Sequence, residues 1–246
     1  MADYDNRVLR GAAAAPAIDA GLRAYMLRVY NYMVIGLVLT GISAWIVATI
    51  PEIRALFFQV NQQTGQFGLS GLGWVAFLAP LGLVLLLSFR IQKMSLGAAQ
   101  ATFWAYAAIM GISLAPILLL YTGASVAQTF FITAATFGAM SLWGYTTKSD
   151  LSGFGSFLFM GLIGIIIASV VNIWLQSTMM MWIVSVAGVL IFTGLTAYDT
   201  QWIKNNYDVN DDGSAMGRKA IFGALKLYLD FVNLFLMLMR LMGNRR

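Results

Sequence analysis

Apolar residues fall into seven long runs along the chain, separated by short polar segments. The runs cover about Tyr32–Ile50, Leu72–Phe89, Gly97–Tyr121, Ser125–Tyr145, Phe154–Leu175, Met179–Tyr198 and Ala220–Met242. Each is near the ~20 residues that an α-helix needs to cross a ~30 Å hydrocarbon core. The pattern therefore predicts an all-α membrane protein, a seven-transmembrane-helix bundle occupying residues 32–246. Pro51 ends the first run, whereas Pro80 and Pro116 lie inside the second and third. Residues 1–31 are more polar and carry Arg7, Arg10, Arg23 and Arg28. Their apolar content comes too late for a cleaved signal peptide, so they read as a cytoplasmic N-terminal tail, with 18–31 a candidate interfacial helix.

Composition agrees with the pattern. Of 246 residues, 60% are hydrophobic and 10% charged, against about 25% charged in a soluble domain. No polar stretch is long enough to form a second, soluble domain. There is no Cys and no His, which excludes disulfides, Cys/His zinc sites, thiolate-ligated clusters, His-ligated haem, and Ser–His or Cys–His nucleophile pairs. Most enzyme classes are thereby removed, and the protein is expected not to be an enzyme and to hold no cofactor. The net charge of +5 lies in tails and loops that flank the spans, so it is no signal for nucleic acid. With the N-terminus inside, ten Lys and Arg fall on the cytoplasmic side before the last span and one, Arg54, outside; the positive-inside rule selects that orientation. The tail Arg245–Arg246 lies outside if the last run spans fully and inside if it re-enters. Close-spaced small residues such as Gly161/Gly164 and Ala220/Ala224 read as bundle packing. Gly68–Gly73 lacks the Lys and the strand context of a phosphate loop.

Charge at membrane depth costs roughly 2.5–3.5 kcal/mol per group and marks function. Most acids here lie in tails or loops: Asp3, Asp5, Asp19, Glu52, Asp150, Asp208, Asp211 and Asp212. Asp199 closes the sixth run, and Asp230 lies about ten residues into the seventh. Both fall in the cytoplasmic half if the connecting loop is inside. Two carboxylates sharing a site cannot both ionise cheaply, so such a pair is either a proton sensor or a binder of a hard cation. Calcium takes six to eight oxygens, and Asn233, Thr196, backbone carbonyls and water would have to supplement the candidate ligands Asp199 and Asp230.

The bland alternative neutralises each acid locally: Lys226 and Asp230 are spaced i, i+4, and Asp199 is solvated at the interface. Arg90, at the cytoplasmic end of the second run, is either an anchor or a latch that pairs with Asp199. Asn172 reads as an interhelical hydrogen-bonding group or a cavity residue, and Arg240 snorkels to the far interface. A retinal site at Lys226 lacks a counter-ion, since the third and fourth runs contain no acid.

Three segments carry a resemblance: Gly111-Ile112-Ser113-Leu114-Ala115-Pro116; Tyr198-Asp199-Thr200-Gln201 with Ile203-Lys204; and Leu227-Tyr228-Leu229-Asp230-Phe231-Val232-Asn233-Leu234-Phe235 with Leu238 and Arg240. From about residue 20 to the end, the chain resembles the bacterial branch of the Bax-inhibitor family of multi-spanning membrane proteins. The resemblance implies a central seventh helix wrapped by the other six. It also implies a pH-sensitive calcium leak channel whose sensor is Asp199 and Asp230, with Arg90 at the family's arginine position. Family members are linked as well to suppression of cell death and, in bacteria, to a membrane-anchored protease.

The expectation is thus a calcium leak of the bacterial inner membrane, gated by protonation of the Asp199/Asp230 pair. Its partners would be the bilayer, calcium and protons, with Arg90, Asn233 and Lys226 as latch or auxiliary groups. The alternative is a non-transporting regulator that binds a membrane protease or another membrane protein. An intramembrane aspartyl hydrolase is a third reading of the same acid pair.

Overall fold

A computed structural model describes residues 2–60 and 67–246, with side chains over 20–59 and 68–246. Asp3, Asp5, Arg7, Arg10 and Asp19 lie outside the described side chains. Among the described residues the chain forms eight α-helices and one small hairpin. Helix α1 (Ala2–Thr49) is followed by a short α2 (Pro51–Phe57) and the strands β1 (Phe58–Val60) and β2 (Phe67–Leu69). Then come α3 (Gly71–Arg90), α4 (Leu96–Leu120), α5 (Gly123–Thr146), α6 (Ser152–Leu175), α7 (Thr178–Asn205) and α8 (Gly213–Met242). Seven of the helices are long and apolar enough to cross a membrane, the first over Ala20–Thr49. This is the seven-helix integral membrane protein that the apolar runs predict.

Helix starts are set by local chemistry. Ser70, Ser95, Thr122, Ser177 and Asp212 each accept a hydrogen bond from the backbone N–H three residues on, which satisfies an otherwise orphaned donor. The carboxyl of Asp212, which accepts from the Ala215 N–H (2.6 Å) and the Ser214 hydroxyl (2.8 Å), is held below the usual carboxylate range by those bonds. Pro51 starts α2 as well as stopping α1; proline suits a first helical turn because its missing N–H is not needed there. Helix α1 passes residue 31 without a break, so the 18–31 segment is continuous with the first span. Pro80 and Pro116 remain inside α3 and α4.

Helix α8 is the centre. Of its most apolar 18-residue window 56% is buried, against 17–33% for the other six spans. It packs against α1, α4, α5 and α7, while α3 packs on α4 and α6 on α7. The seventh span is therefore packed mainly by four helices, with α3 and α6 farther out and α6 reaching it through side chains. One flank of α8, including Ile221, Ala224, Tyr228 and Val232, joins Val29 and Met33 of α1 and Phe103 and Tyr106 of α4 in the main core. Farther along, Leu234 and Met237 meet Leu158, Ile165, Val184 and Phe192 from α6 and α7.

Helix α8 runs its 30 residues unbroken, so its end lies on the side of the bundle opposite the acidic 206–212 loop. There the tail is clasped to the α4–α5 turn. The Thr122 N–H donates to the Asn244 carbonyl (3.1 Å), the Arg246 N–H to Leu120 (2.9 Å), and the Asn244 N–H to Ser125 Oγ (2.9 Å). The last run thus forms one continuous helix that reaches from the 206–212 loop to the α4–α5 turn.

Close helix approach depends on Gly144, where a Cβ would lie 2.2 Å from the Ala197 carbonyl oxygen of α7. At Gly164 on α6 nothing lies within 4 Å. Gly144→Val should therefore force α5 from α7 and destabilise the fold by about 1–3 kcal/mol, whereas Gly164→Val should leave it unchanged. Thermal unfolding in detergent compares the two.

Candidate functional site

The sixth span ends in a run whose residues each reach a different neighbour. Tyr198 lies against Gly155 of α6, where a Cβ would meet its ring. The Thr200 hydroxyl is 3.0 Å from that of Ser141 on α5, which lies 2.6 Å from the Tyr30 hydroxyl on α1. Gln201 clamps the α5–α6 turn: its Oε1 accepts from the Leu151 N–H and its Nε2 donates to the Ser149 carbonyl, both at 2.8 Å. With Thr200 and Gln201 anchored to α5 and its turn, Asp199 is presented to α8.

On α8, Lys226, Asp230, Asn233 and Met237 stand at i, i+4, i+7 and i+11, one stripe of a helix, and all four line a single cavity of about 850 Å³. Its other walls are Ser88 of α3, the Ser156–Val170 face of α6, and Phe192, Leu195, Tyr198 and Asp199 of α7. On the opposite flank of α8 the Tyr228 hydroxyl is 2.6 Å from Thr40 Oγ1. The polar residues of the seventh span are thus sorted by face, into core and cavity.

Within the cavity Asp199 and Asp230 come together. Both are buried, at 6% and 4% exposure, and their carboxyl groups lie within hydrogen-bonding reach of each other. Lys226 Nζ is 2.8 Å from Asp199 Oδ1 and 4.8 Å from the centre of the Trp202 ring. Asp230 accepts no hydrogen bond from any N–H or O–H donor among the described residues, and its Oδ2 is a buried atom without a partner. With both carboxylates ionised, the three groups sum to one net negative charge. Among the described residues no other charge lines the cavity: α4, α5 and α6 contain no Asp, Glu, Lys or Arg, and α3 has only Arg90 at its end.

Several expected contacts differ from those formed. Lys226 pairs with Asp199 across α7–α8 and not with Asp230 one turn along, because the stem reaches over Trp202 to the facing helix. Arg90 is exposed at the end of α3, a helix that packs on α4, and does not contact Asp199. Thr196 is fully buried and donates to Phe192 O (2.8 Å), away from the cavity. The Asn233 amide donates to Leu229 O (2.9 Å), which leaves its carbonyl available on the cavity side. Asn172 is not an interhelical group; its Oδ1 accepts from the Ser177 N–H (2.9 Å) and closes the α6–α7 turn, where Gln176 adopts φ 49°. Arg240 is exposed near the far end of α8. Among the described residues no group of three or more Asp, Glu, His or Cys is placed to hold a metal. The α6 wall was missed in the sequence, yet Ser156, Phe159, Leu162, Ile166 and Ser169 repeat at the 3–4-residue spacing of one helix face.

Fold and site together define a seven-helix membrane protein with a paired-acid cavity beside its central last helix. The chain belongs to the Bax inhibitor family: the family model described as inhibitor of apoptosis-promoting Bax1 matches residues 22–246. It is similar to the inner membrane protein YbhL of Escherichia coli K12, 51% identical over 229 residues that cover 92% of this chain and 94% of the relative. A Rickettsia prowazekii protein, RP147, is 45% identical over the full length of both chains. The membrane protein SpyM3_0260 of Streptococcus pyogenes is 36% identical over 226 residues, 92% of this chain and 95% of its own.

Removing Lys226 strands a buried carboxylate. Lys226→Met should destabilise the protein, towards the lower end of the about 3–5 kcal/mol typical of a broken buried pair, because the lysine is partly exposed. Adding Asp199→Asn should recover most of that loss. A double-mutant cycle on chemical unfolding in mixed micelles measures both.

Proposed function

We propose that the protein is a proton-sensitive leak for calcium or a similar cation across the bacterial inner membrane, with the N-terminus cytoplasmic. The observation that carries this reading is the buried Asp199–Lys226–Asp230 cluster, two acids and one base at the floor of an intramembrane cavity. Family membership and the inner-membrane location of the YbhL relative support it, as does the charge asymmetry of the loops.

The chemistry is a count of charges. Both acids ionised leave −1; one shared proton gives neutrality and keeps the Lys226–Asp199 pair; a second proton leaves +1 and removes the attraction that ties α7 to α8. Opposite charges in a low-dielectric site attract strongly, so loss of that pair frees the cavity face of α8 and the α3–α6 mouth before it. The open state is then favoured as pH falls. In this scheme Lys226 holds the closed state, and Asn233 offers a carbonyl oxygen along the path. Calcium is cargo, with no resident ion: two carboxylates, one already engaged by Lys226, fall short of its six to eight oxygens.

Calcium influx into proteoliposomes at pH 6, 7 and 8 tests this. Wild-type flux should rise with acidification. Asp199→Asn, which has no ion pair to lose, should conduct at all three values. Asp230→Asn, which keeps the pair but loses the coupled site, should stay low and flat. Arg90→Ala should follow the wild type. Wild-type profiles from both Asp variants would refute the sensor. Control-level flux from folded wild-type protein would turn the reading to a regulator that binds a membrane-anchored protease.

A further inference from the structure

The cavity is far larger than a cation needs, and it is mostly apolar. Its α6 wall extends from Ser156 to Val170, about 21 Å at 1.5 Å per residue, two-thirds of a ~30 Å hydrocarbon core. Phe159, Ile166 and Val170 both line it and are exposed on the outer surface. Ser88 of α3 lines it as well, and α3 and α6 pack on different partners, α4 and α7. The space is therefore a groove that opens sideways, at membrane depth. Its volume of about 850 Å³ is in the range of about 300–1,000 Å³ found for sites that hold small organic ligands.

The floor and the walls make different demands. Asp230 Oδ2 is buried without a hydrogen-bond partner among the described residues, and with both acids ionised the cluster carries one uncompensated negative charge. A hydrocarbon chain would fill the walls but leave that oxygen unpaired, which is the costly way to bury it. A bare cation would answer the charge but leave the apolar walls against water. A long-chain primary ammonium meets both: its chain lies along Phe159, Leu162 and Ile166, and its N–H groups donate to Asp230.

We propose that the groove between α3 and α6 is a binding site for lipophilic primary amines, entered from the bilayer and anchored on Asp230. The inference goes beyond ion conduction and stands on the shape and polarity of the groove.

The test is saturable binding of radiolabelled dodecylamine to the full chain in phosphatidylcholine nanodiscs, with empty discs as background. Wild-type protein should show a single saturable site. Unlabelled dodecylamine should displace the label at least tenfold better than dodecanol, which has the chain without the charge, or dodecyltrimethylammonium, which has the charge without the N–H donors. Asp230→Asn should weaken binding at least tenfold. So should Ile166→Trp, which fills the groove and leaves the acid in place. Phe131→Trp, on the exposed face of α5, should bind as wild type. Unfolding temperatures confirm that each variant is folded, and Ile166→Trp decides the matter if Asp230→Asn is not. Equal displacement by dodecanol would overturn the proposal, as would unchanged binding in both groove variants or no saturable component above empty discs. Binding in discs involves no transport between compartments, so the outcome is separate from that of the flux experiment.

Discussion

A carboxylate buried at membrane depth must find a positive charge, and in this protein the nearest one sits on the next helix. The 2.8 Å contact between Lys226 of α8 and Asp199 of α7 meets that demand for one acid and leaves Asp230 beside it. Charges cannot face lipid cheaply, so the helix that carries Lys226 and Asp230 has to be the interior one. The burial of α8 follows, and with it the arrangement of α1, α4, α5 and α7 around it. The central position of the last span is thus a consequence of electrostatics as much as of packing.

The same constraint makes the two ends of α8 unlike. At the far end, backbone hydrogen bonds from the 244–246 segment to the α4–α5 turn hold it in place. At the basic end, Lys219 reaches Asp211 (2.6 Å) and the Asn206 carbonyl (3.2 Å), which ties the connecting loop to the start of α8. Between them lie the two contacts in the cavity that depend on charge, the Lys226–Asp199 ion pair and the Asp199–Asp230 carboxyl pair. The bundle is thus fixed at one end by backbone bonds, at the other by the Lys219–Asp211 ion pair, and in the middle by the Lys226–Asp199 pair inside the cavity.

Much of the fold could be read because bilayer thickness imposes a length on every span. Seven runs near 20 residues needed no subtler signal, and Asp199 and Asp230 stood out because nothing else in those runs is acidic. What could not be read is partner choice. Lys226 sits one turn from Asp230, and that spacing looks as good in one dimension as the cross-helix contact that forms. Arg90 is attractive by position along the chain but belongs to a helix that packs elsewhere. Asn172 looks intramembrane by count, yet its side chain closes a turn. The α2 helix and its hairpin escaped notice because they are too short to show periodicity, while the cavity wall on α6 was masked by the general apolarity of that span.

Charge in the cluster is held to set the conformation of the α3–α6 mouth, and this can be measured without following any ion. Ser88 and Ser156 are exposed residues on the two sides of that mouth, and the chain has no native Cys, so Ser88→Cys/Ser156→Cys accepts two spin labels cleanly. Pulsed electron–electron distance measurements in nanodiscs should show one distribution at pH 8 and a shifted one at pH 6. Adding Asp199→Asn should give a single distribution that no longer depends on pH. A wild-type distance that is the same at both pH values, or a shift that survives in the Asp199→Asn background, would contradict the account.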